Sequence, residues 1–194
     1  MIILLNGPPG CGKDTAAGFI KKYLDLCREY KMSMPLKSAL RTLLCIEDER
    51  WKEMLAYGAK DEPLLPKGVS IRQALIRLSE DYLKPMLGDD IFGHIAVRHL
   101  IRMASAANIV IPDTGFTDEV VPILKEFTAK KIRIIRLSRP GYFYTNDSRS
   151  DIDIDRLKMR PYTEMINNKY DLEVFEAQVR VVLRKWDLID DNTQ

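Results

Sequence analysis

No run of apolar residues in this chain approaches bilayer-spanning length, so no membrane partner is expected. The start carries no basic n-region and only a short apolar stretch, Ile2 to Leu5, which does not read as a secretory signal. Cysteine is scarce: Cys11, Cys27 and Cys45 are odd in number and lack metal-ligand spacing, and they read as reduced thiols of a cytoplasmic protein. An excess of one charge is also missing. The net charge of +2 gives no argument for a polyanionic partner and none against a local basic groove. No repeat, low-complexity tract or composition shift marks a second domain. What is present, 194 residues with 46% hydrophobic and 30% charged, suits one globular domain with a proper core.

The most informative stretch opens the chain. Ile2-Ile3-Leu4-Leu5-Asn6 predicts a buried strand, and it runs straight into Gly7-Pro8-Pro9-Gly10-Cys11-Gly12-Lys13-Asp14-Thr15. A helical pattern follows, with Ala16, Phe19, Ile20, Tyr23 and Leu24 at spacings of three and four. Strand, glycine loop ending in Gly-Lys, then helix is the context of a phosphate-binding loop. Glycines let the backbone curl so that several N–H groups point inward, and the first helical turn adds unpaired N–H groups and partial positive charge. Gly7, Gly10, Cys11, Gly12, Lys13, Asp14 and Thr15 are therefore the candidate nucleotide-binding residues, with Lys13 bringing a full charge to the β/γ-phosphates. Asp14 stands where Ser or Thr usually touches Mg²⁺. It is a candidate metal ligand, directly or through a water, or a base for an acceptor hydroxyl; its structural alternative is a first-turn acid favoured by the helix dipole.

The first helix is expected to end near Arg28, and Lys31–Met34 to form a short second strand before Pro35 starts a helix. Lys37 and Arg41 share one face of that helix, where an acceptor phosphate or plain solvent would meet them. Residues 47–69, with Trp51, Tyr57, Gly58, Pro63, Pro66 and Gly68, are the least regular part. They read as a helix around 48–56 and then a loop, the sort of acceptor-side segment that closes over substrate. Ser70 should cap a strong helix whose first turn holds Arg72, against the dipole's preference. A further helix is expected over 91–104, with His94, Arg98 and Arg102 along one ridge, a phosphate track or a solvated face. Asn108 to Asp113 reads as a strand ending in an acid at its C-terminal end, where open α/β sheets place ligands; Asp113 is the candidate Walker-B-like metal residue, with a helix cap as its alternative. Helix over 118–129, strand over 132–137, a polar segment 139–161 resembling a lid, a short strand at 165–168 and a helix over 171–188 complete the order. Arg139, at a strand end, is the best placed cation for a transferring phosphoryl group, with Arg149, Arg156 and Arg160 unranked behind it. Buried strands alternating with helices predict a three-layer α/β fold with a central parallel sheet of about five strands.

These pieces together resemble the phage deoxynucleoside monophosphate kinase family, within the P-loop nucleoside monophosphate kinases. The resemblance is carried by Gly7–Thr15 with its Gly-Lys-Asp-Thr ending, Ser70-Ile71-Arg72, Ile111-Pro112-Asp113-Thr114, Arg136 to Gly141, and Ile166-Asn167-Asn168 before Leu172-Glu173. It spans nearly the whole chain and implies a single P-loop kinase domain over 1–194, with residues 47–105 as a helical acceptor side. It also implies ATP as donor, Mg²⁺ and a nucleoside monophosphate acceptor, in host cytoplasm if phage-encoded. By it, Lys13 holds donor phosphates, Asp113 orders the metal, Arg72 meets the acceptor phosphate and Arg139 the transferring group. Related kinases are often dimers, which makes a homodimer one arrangement to look for. Two departures bear on the acceptor: a short acceptor lobe, and Asn146-Asp147-Ser148-Arg149-Ser150-Asp151 where the family has a His-containing acidic motif.

Three functions compete on this sequence. The first is γ-phosphoryl transfer from ATP to a deoxynucleoside monophosphate, where binding and electrostatics do most of the work. The second is phosphorylation of a hydroxymethylated uracil within phage DNA, which needs a base such as Asp14 or Asp113, a flipped or single-stranded substrate and a basic surface such as the His94/Arg98/Arg102 ridge. The third is a non-catalytic nucleotide switch, which would not need an arginine-rich lid.

Overall fold

The computed structural model describes residues 1–56, 58–103, 108–145 and 147–190. Of the residues singled out above, Tyr57, Asn146 and the end of the 91–104 helix at residue 104 lie outside them. The chain divides into two compact units, Met1–Met32 together with Phe92 onward, and Ser33–Ile91.

The first unit begins with β1 (Ile2–Asn6), α1 (Lys13–Tyr23) and β2 (Arg28–Glu29). The second holds α2 (Met34–Leu43), α3 (Asp48–Leu55), α4 (Ile71–Ile76), a π-helical stretch Arg77–Leu83 and α5 (Lys84–Leu87). The chain then supplies the first unit with α6 (Ile91–Met103), β3 (Ile109–Ile111), α7 (Thr117–Phe127), β4 (Ile132–Ser138), β5 (Tyr162–Asn167) and α8 (Leu172–Lys185).

All five strands are parallel, in the order β2-β3-β1-β4-β5, flanked by helices as the alternating pattern predicts. β1 is the centre: Leu4 pairs with Ile111 on one side and Ile134 on the other, and all five of its residues are buried. Side chains alternate across a strand. Ile3 and Leu5 therefore point to one face and pack with Ala16, Ala17 and Ile20 of α1 and with Phe175, Val179 and Leu183 of α8. Ile2 and Leu4 point to the other face and are equally buried. Each such aliphatic side chain removed from water contributes about 1.5–3 kcal/mol. α6 and α7 cross at Gly93, where a Cβ would run into the Glu119 carbonyl. The sheet order reverses direction at β1, so its C-terminal end is where a parallel α/β sheet opens a crevice.

Three local expectations shift. α1 ends at Tyr23 rather than near Arg28, and the second strand is Arg28–Glu29 rather than Lys31–Met34. The reason is β3: Arg28 N donates to Asn108 O and Tyr30 N to Val110 O, so the ladder is complete before Lys31, and the Met32 amide turns to the Asp113 carboxylate instead. β5 starts at Tyr162, earlier than the apolar run, because β4 offers a full parallel edge from Arg133 to Ser138. The Arg133 guanidinium over the Tyr162 ring and the Glu164–Lys185 ion pair accommodate its polar residues. Ser70 caps α4, as its sequence predicts, and the structure adds a reciprocal capping box with Gln73. The long helix expected there widens into the π stretch instead. Pro85 lacks an N–H and its ring would crowd the carbonyl four residues earlier at α-helical spacing; in the wider stretch before it the Lys84 amide donates to Ser79 O.

The second unit has its own small core of Leu40, Trp51, Met54 and Ile71. No helix among the described residues is long and apolar enough to cross a membrane.

Candidate phosphate-binding site

β1 delivers its C-terminal residue, Asn6, to the crevice end of the sheet, and the glycine loop turns there into α1. Gly12 stands at the helix N-cap in the left-handed region at φ 106°. Any Cβ there would lie 2.7 Å from the Asn168 amide and 3.0 Å from the Phe175 ring, so glycine is required by conformation and by space. The first turn of α1 receives no side-chain cap, which leaves its amide dipoles directed at the loop.

Lys13 holds the loop from within. Its Nζ donates to Gly7 O at 2.6 Å and Pro8 O at 2.7 Å, with Cys11 Sγ at 3.8 Å, and the residue is only 9% exposed. Burial pushes the Lys13 pKa below its ordinary value, and the Arg149 charge pushes the same way. A partly desolvated ammonium held by carbonyl dipoles gains strongly from an anion that replaces them. Burial raises the Cys11 thiol above its ordinary value, so Cys11 behaves as a small packed residue.

The neighbouring strand ends complete the surroundings. Asp113 follows β3, adjacent to β1, and its Oδ1 accepts the Met32 amide at 2.7 Å. Arg139 follows β4 on the other side; its Nη1 donates to Gly10 O at 3.3 Å, and its guanidinium lies 4.9 Å from the Tyr142 ring centroid. The Tyr142 ring covers Gly10 so closely that a side chain there would enter it. Next to this lip is a cleft of about 380 Å³ whose walls include Pro8, Arg139, Tyr142, Phe143, Asp151 and Asn167. Asp14 is exposed in the first turn of α1 and pairs with Lys31 at 2.7 Å, while Thr15 is exposed beside it. Among the described residues no three His, Cys, Asp or Glu side chains converge on one point. Asp14 and Asp113 each offer the hard oxygen donors that Mg²⁺ takes.

The structure thus gathers Gly7, Gly10, Cys11, Gly12, Lys13, Asp14, Asp113 and Arg139 in the first unit, at the crevice end of β1, β3 and β4. The other sequence candidates lie on other elements. Lys37 is half-buried on α2; Arg41 pairs with Asp48 and Arg72 with Asp61, all within the second unit. Arg72 holds the Asp61 carboxyl below its ordinary pKa. Arg98, His94 and Arg102 are all exposed along α6. Arg156 pairs with Asp118 and Arg160 with Asp155, while the Arg149 charge acts electrostatically on Lys13 and Asp113.

Several contributors escape a reading of sequence. Asn168 Nδ2 donates to Cys11 O at 3.0 Å and its own amide to Ser138 O at 2.8 Å, so it ties the loop to the end of β4. Asn6 is fully buried and hydrogen-bonded to three segments. Tyr30, after β2, buries a hydroxyl that has no hydrogen-bond partner among the described residues. Burial, with Asp113 and Glu119 nearby, pushes it up to about 12. The signal available for Asn6 and Asn168 is an amide side chain at the end of a buried strand, where water is not at hand and a protein partner must be.

No protein-family model matches the chain, and no curated protein matches it well enough to count as a relative. Among solved structures it is similar to TT1252 from Thermus thermophilus, at 16% identity over 95% of this chain and 97% of that one, TM-score 0.49. It is also similar to a tunicamycin resistance protein of Deinococcus radiodurans, at 14% identity over 94% of each chain, TM-score 0.44. A candidate kinase from Chloroflexus aurantiacus is a third, at 14% identity over 95% of this chain and 96% of that one, TM-score 0.45. The five-stranded parallel sheet stands on its own hydrogen-bond register, independent of these likenesses.

Proposed function

We propose that this protein is an ATP-dependent kinase that transfers the γ-phosphoryl group to a deoxynucleoside monophosphate. One observation carries the reading: a glycine loop wrapped around a buried Lys13 ammonium at the crevice end of β1, between Asp113 and Arg139. Loop amides, the α1 dipole and Lys13 take the β- and γ-phosphates, and Lys13 exchanges the Gly7 and Pro8 carbonyls for phosphate oxygens. An oxygen of the acceptor phosphate bonds to the γ-phosphorus as the bond to the β–γ bridging oxygen breaks, and ADP leaves with that electron pair. The acceptor phosphate is already anionic, so no strong base is required. Arg139, anchored on the loop at Gly10, faces the charge that spreads over the transferring oxygens. Asp113 and Asp14 are the residues that would hold Mg²⁺, which would supply charge neutralisation at the phosphates.

A second reading, phosphorylation of a hydroxymethylated base within DNA, is favoured by the exposed His94, Arg98 and Arg102 row on α6. One assay separates the readings. The protein is incubated with Mg²⁺ and γ-labelled ATP, with each deoxynucleoside monophosphate or with hydroxymethyluracil-containing DNA. Label in the mononucleotide pool supports the first reading, and label in polymer the second. Label in neither, with ATP bound, leaves a nucleotide switch and overturns both.

A further inference from the structure

Asn6 is the last residue of β1, and at 0% exposure its carboxamide must find every partner inside the protein. Its Nδ2 donates to the Thr114 carbonyl at 3.1 Å, the Ser150 carbonyl at 3.0 Å and the Tyr144 hydroxyl at 3.3 Å, and its Oδ1 accepts the Ile152 amide at 3.0 Å. Two N–H groups shared among three acceptors use the whole donor capacity of the side chain, and the oxygen is engaged as well. These partners come from the loop after β3 and from the segment read in sequence as a lid. Its described residues are fastened at several further points. The Ser150 amide donates to Gly115 O at 3.0 Å and the Asp153 amide to Thr117 Oγ1 at 2.9 Å. Ile152 and Leu157 are buried at 1% and 2% exposure.

Between these fixings sits Arg149. Asp147 grips its Nε at 2.8 Å and its Nη2 at 2.5 Å, which engages two of the five guanidinium donors. Its aliphatic stem lies over Gly115: a Cβ there would come within 2.6 Å of Arg149 Cγ and Cδ. Gly115 is two residues beyond Asp113, and the Arg149 charge acts on both Asp113 and Lys13.

We infer that Asn6 is a positioning residue: it latches residues 150–152 to the 114–115 loop and so holds the Arg149 guanidinium ready for the terminal phosphate of a bound nucleoside triphosphate. The inference rests on the donor-site reading above and adds to it. On this account the segment is a fixed wall of the donor site, and its arginine needs no closing motion to arrive. A cation held in place before the substrate binds costs no reorganisation when the phosphate arrives.

The test is calorimetric titration of ATP and of ADP, with Mg²⁺, into wild type, Asn6→Ala, Arg149→Gln and the double variant. Arg149→Gln is expected to weaken ATP by about tenfold or more and ADP by less than about threefold, since only ATP carries the third phosphate. Asn6→Ala is expected to reproduce that ATP-selective loss, and to add less than about threefold once Arg149 is gone, because the two act as one unit. Additive effects, or equal losses for ATP and ADP, would make Asn6 merely structural and overturn the inference. Should Asn6→Ala not fold, Gly115→Ala displaces the Arg149 stem without touching Asn6 and must give the same ATP-selective loss; unchanged ATP affinity there overturns the inference. A wild type that binds neither nucleotide overturns the donor-site reading itself, whereas a wild type that binds ATP alongside an unaffected Arg149→Gln overturns the inference alone.

Discussion

Gly12→Ala isolates the backbone demand of the phosphate loop. Two costs add. An L-residue held at φ 106° is disfavoured by roughly 1–2 kcal/mol. The new methyl also meets Asn168 Nδ2 at 2.7 Å and the Phe175 ring at 3.0 Å, and overpacking of this kind costs about 1–3 kcal/mol. Together they predict about 2–5 kcal/mol of destabilisation, or a melting temperature lower by roughly 4–20 °C for a chain of this size. The two parts separate in a double variant. Gly12→Ala with Asn168→Ala relieves the amide clash but keeps the backbone strain, so the pair should be less destabilised than the sum of the singles. Urea unfolding followed by far-UV circular dichroism gives the free energies, and calorimetry with ATP and Mg²⁺ reports the loop. ATP affinity should fall further than stability predicts, because the strain sits on the amides that face phosphate. If Gly12→Ala unfolds at the wild-type midpoint and binds ATP unchanged, the left-handed cap and its contacts do not shape the loop.

The remaining predictions concern the same crevice and the thiols. Lys13→Ala should abolish phosphoryl transfer while the far-UV spectrum stays native; measurable turnover in a labelled-ATP assay would remove Lys13 from its role. Arg139→Ala should lower kcat by about 10³–10⁵, the range of a transition-state arginine, and a change confined to KM would reassign it to binding. Alkylation with iodoacetamide at pH 8 should mark the exposed Cys45 first and spare the buried Cys11 and half-buried Cys27, read as adduct positions by mass spectrometry. Burial pushes the Cys27 thiol up to about 11 from an unfolded value near 9.0. The folded state therefore keeps a proton that the unfolded chain loses, and the stability linked to this thiol is intact below pH 9 and lost between pH 9 and 11. Cys27→Ser should flatten that part of the unfolding profile, and an unaltered slope would assign it to other groups.

Local pattern alone determined the elements whose environment is uniform along their length. Ile2–Leu5 and Ile109–Ile111 are apolar throughout, and Ile132–Leu137 at all positions but Arg133 and Arg136, because parallel strands covered on both faces must be largely apolar, and that reads directly from composition. The turn into α1 is legible for a similar reason: Gly12 answers to φ, a property of its own residue, and the capping box at Ser70 needs only Gln73 three positions on. Tertiary structure decided whatever depends on a partner far along the chain. β2 is two residues long because β3 supplies its hydrogen bonds only that far, and β5 begins at a tyrosine because β4 offers an edge there. Asn6 meets Ser150 across 144 positions and Asn168 meets Cys11 across 157, and a side-chain amide carries no sequence signal naming its acceptor. For the same reason Arg149 was one of several arginines in sequence, and it stood apart only once folding laid its stem on Gly115.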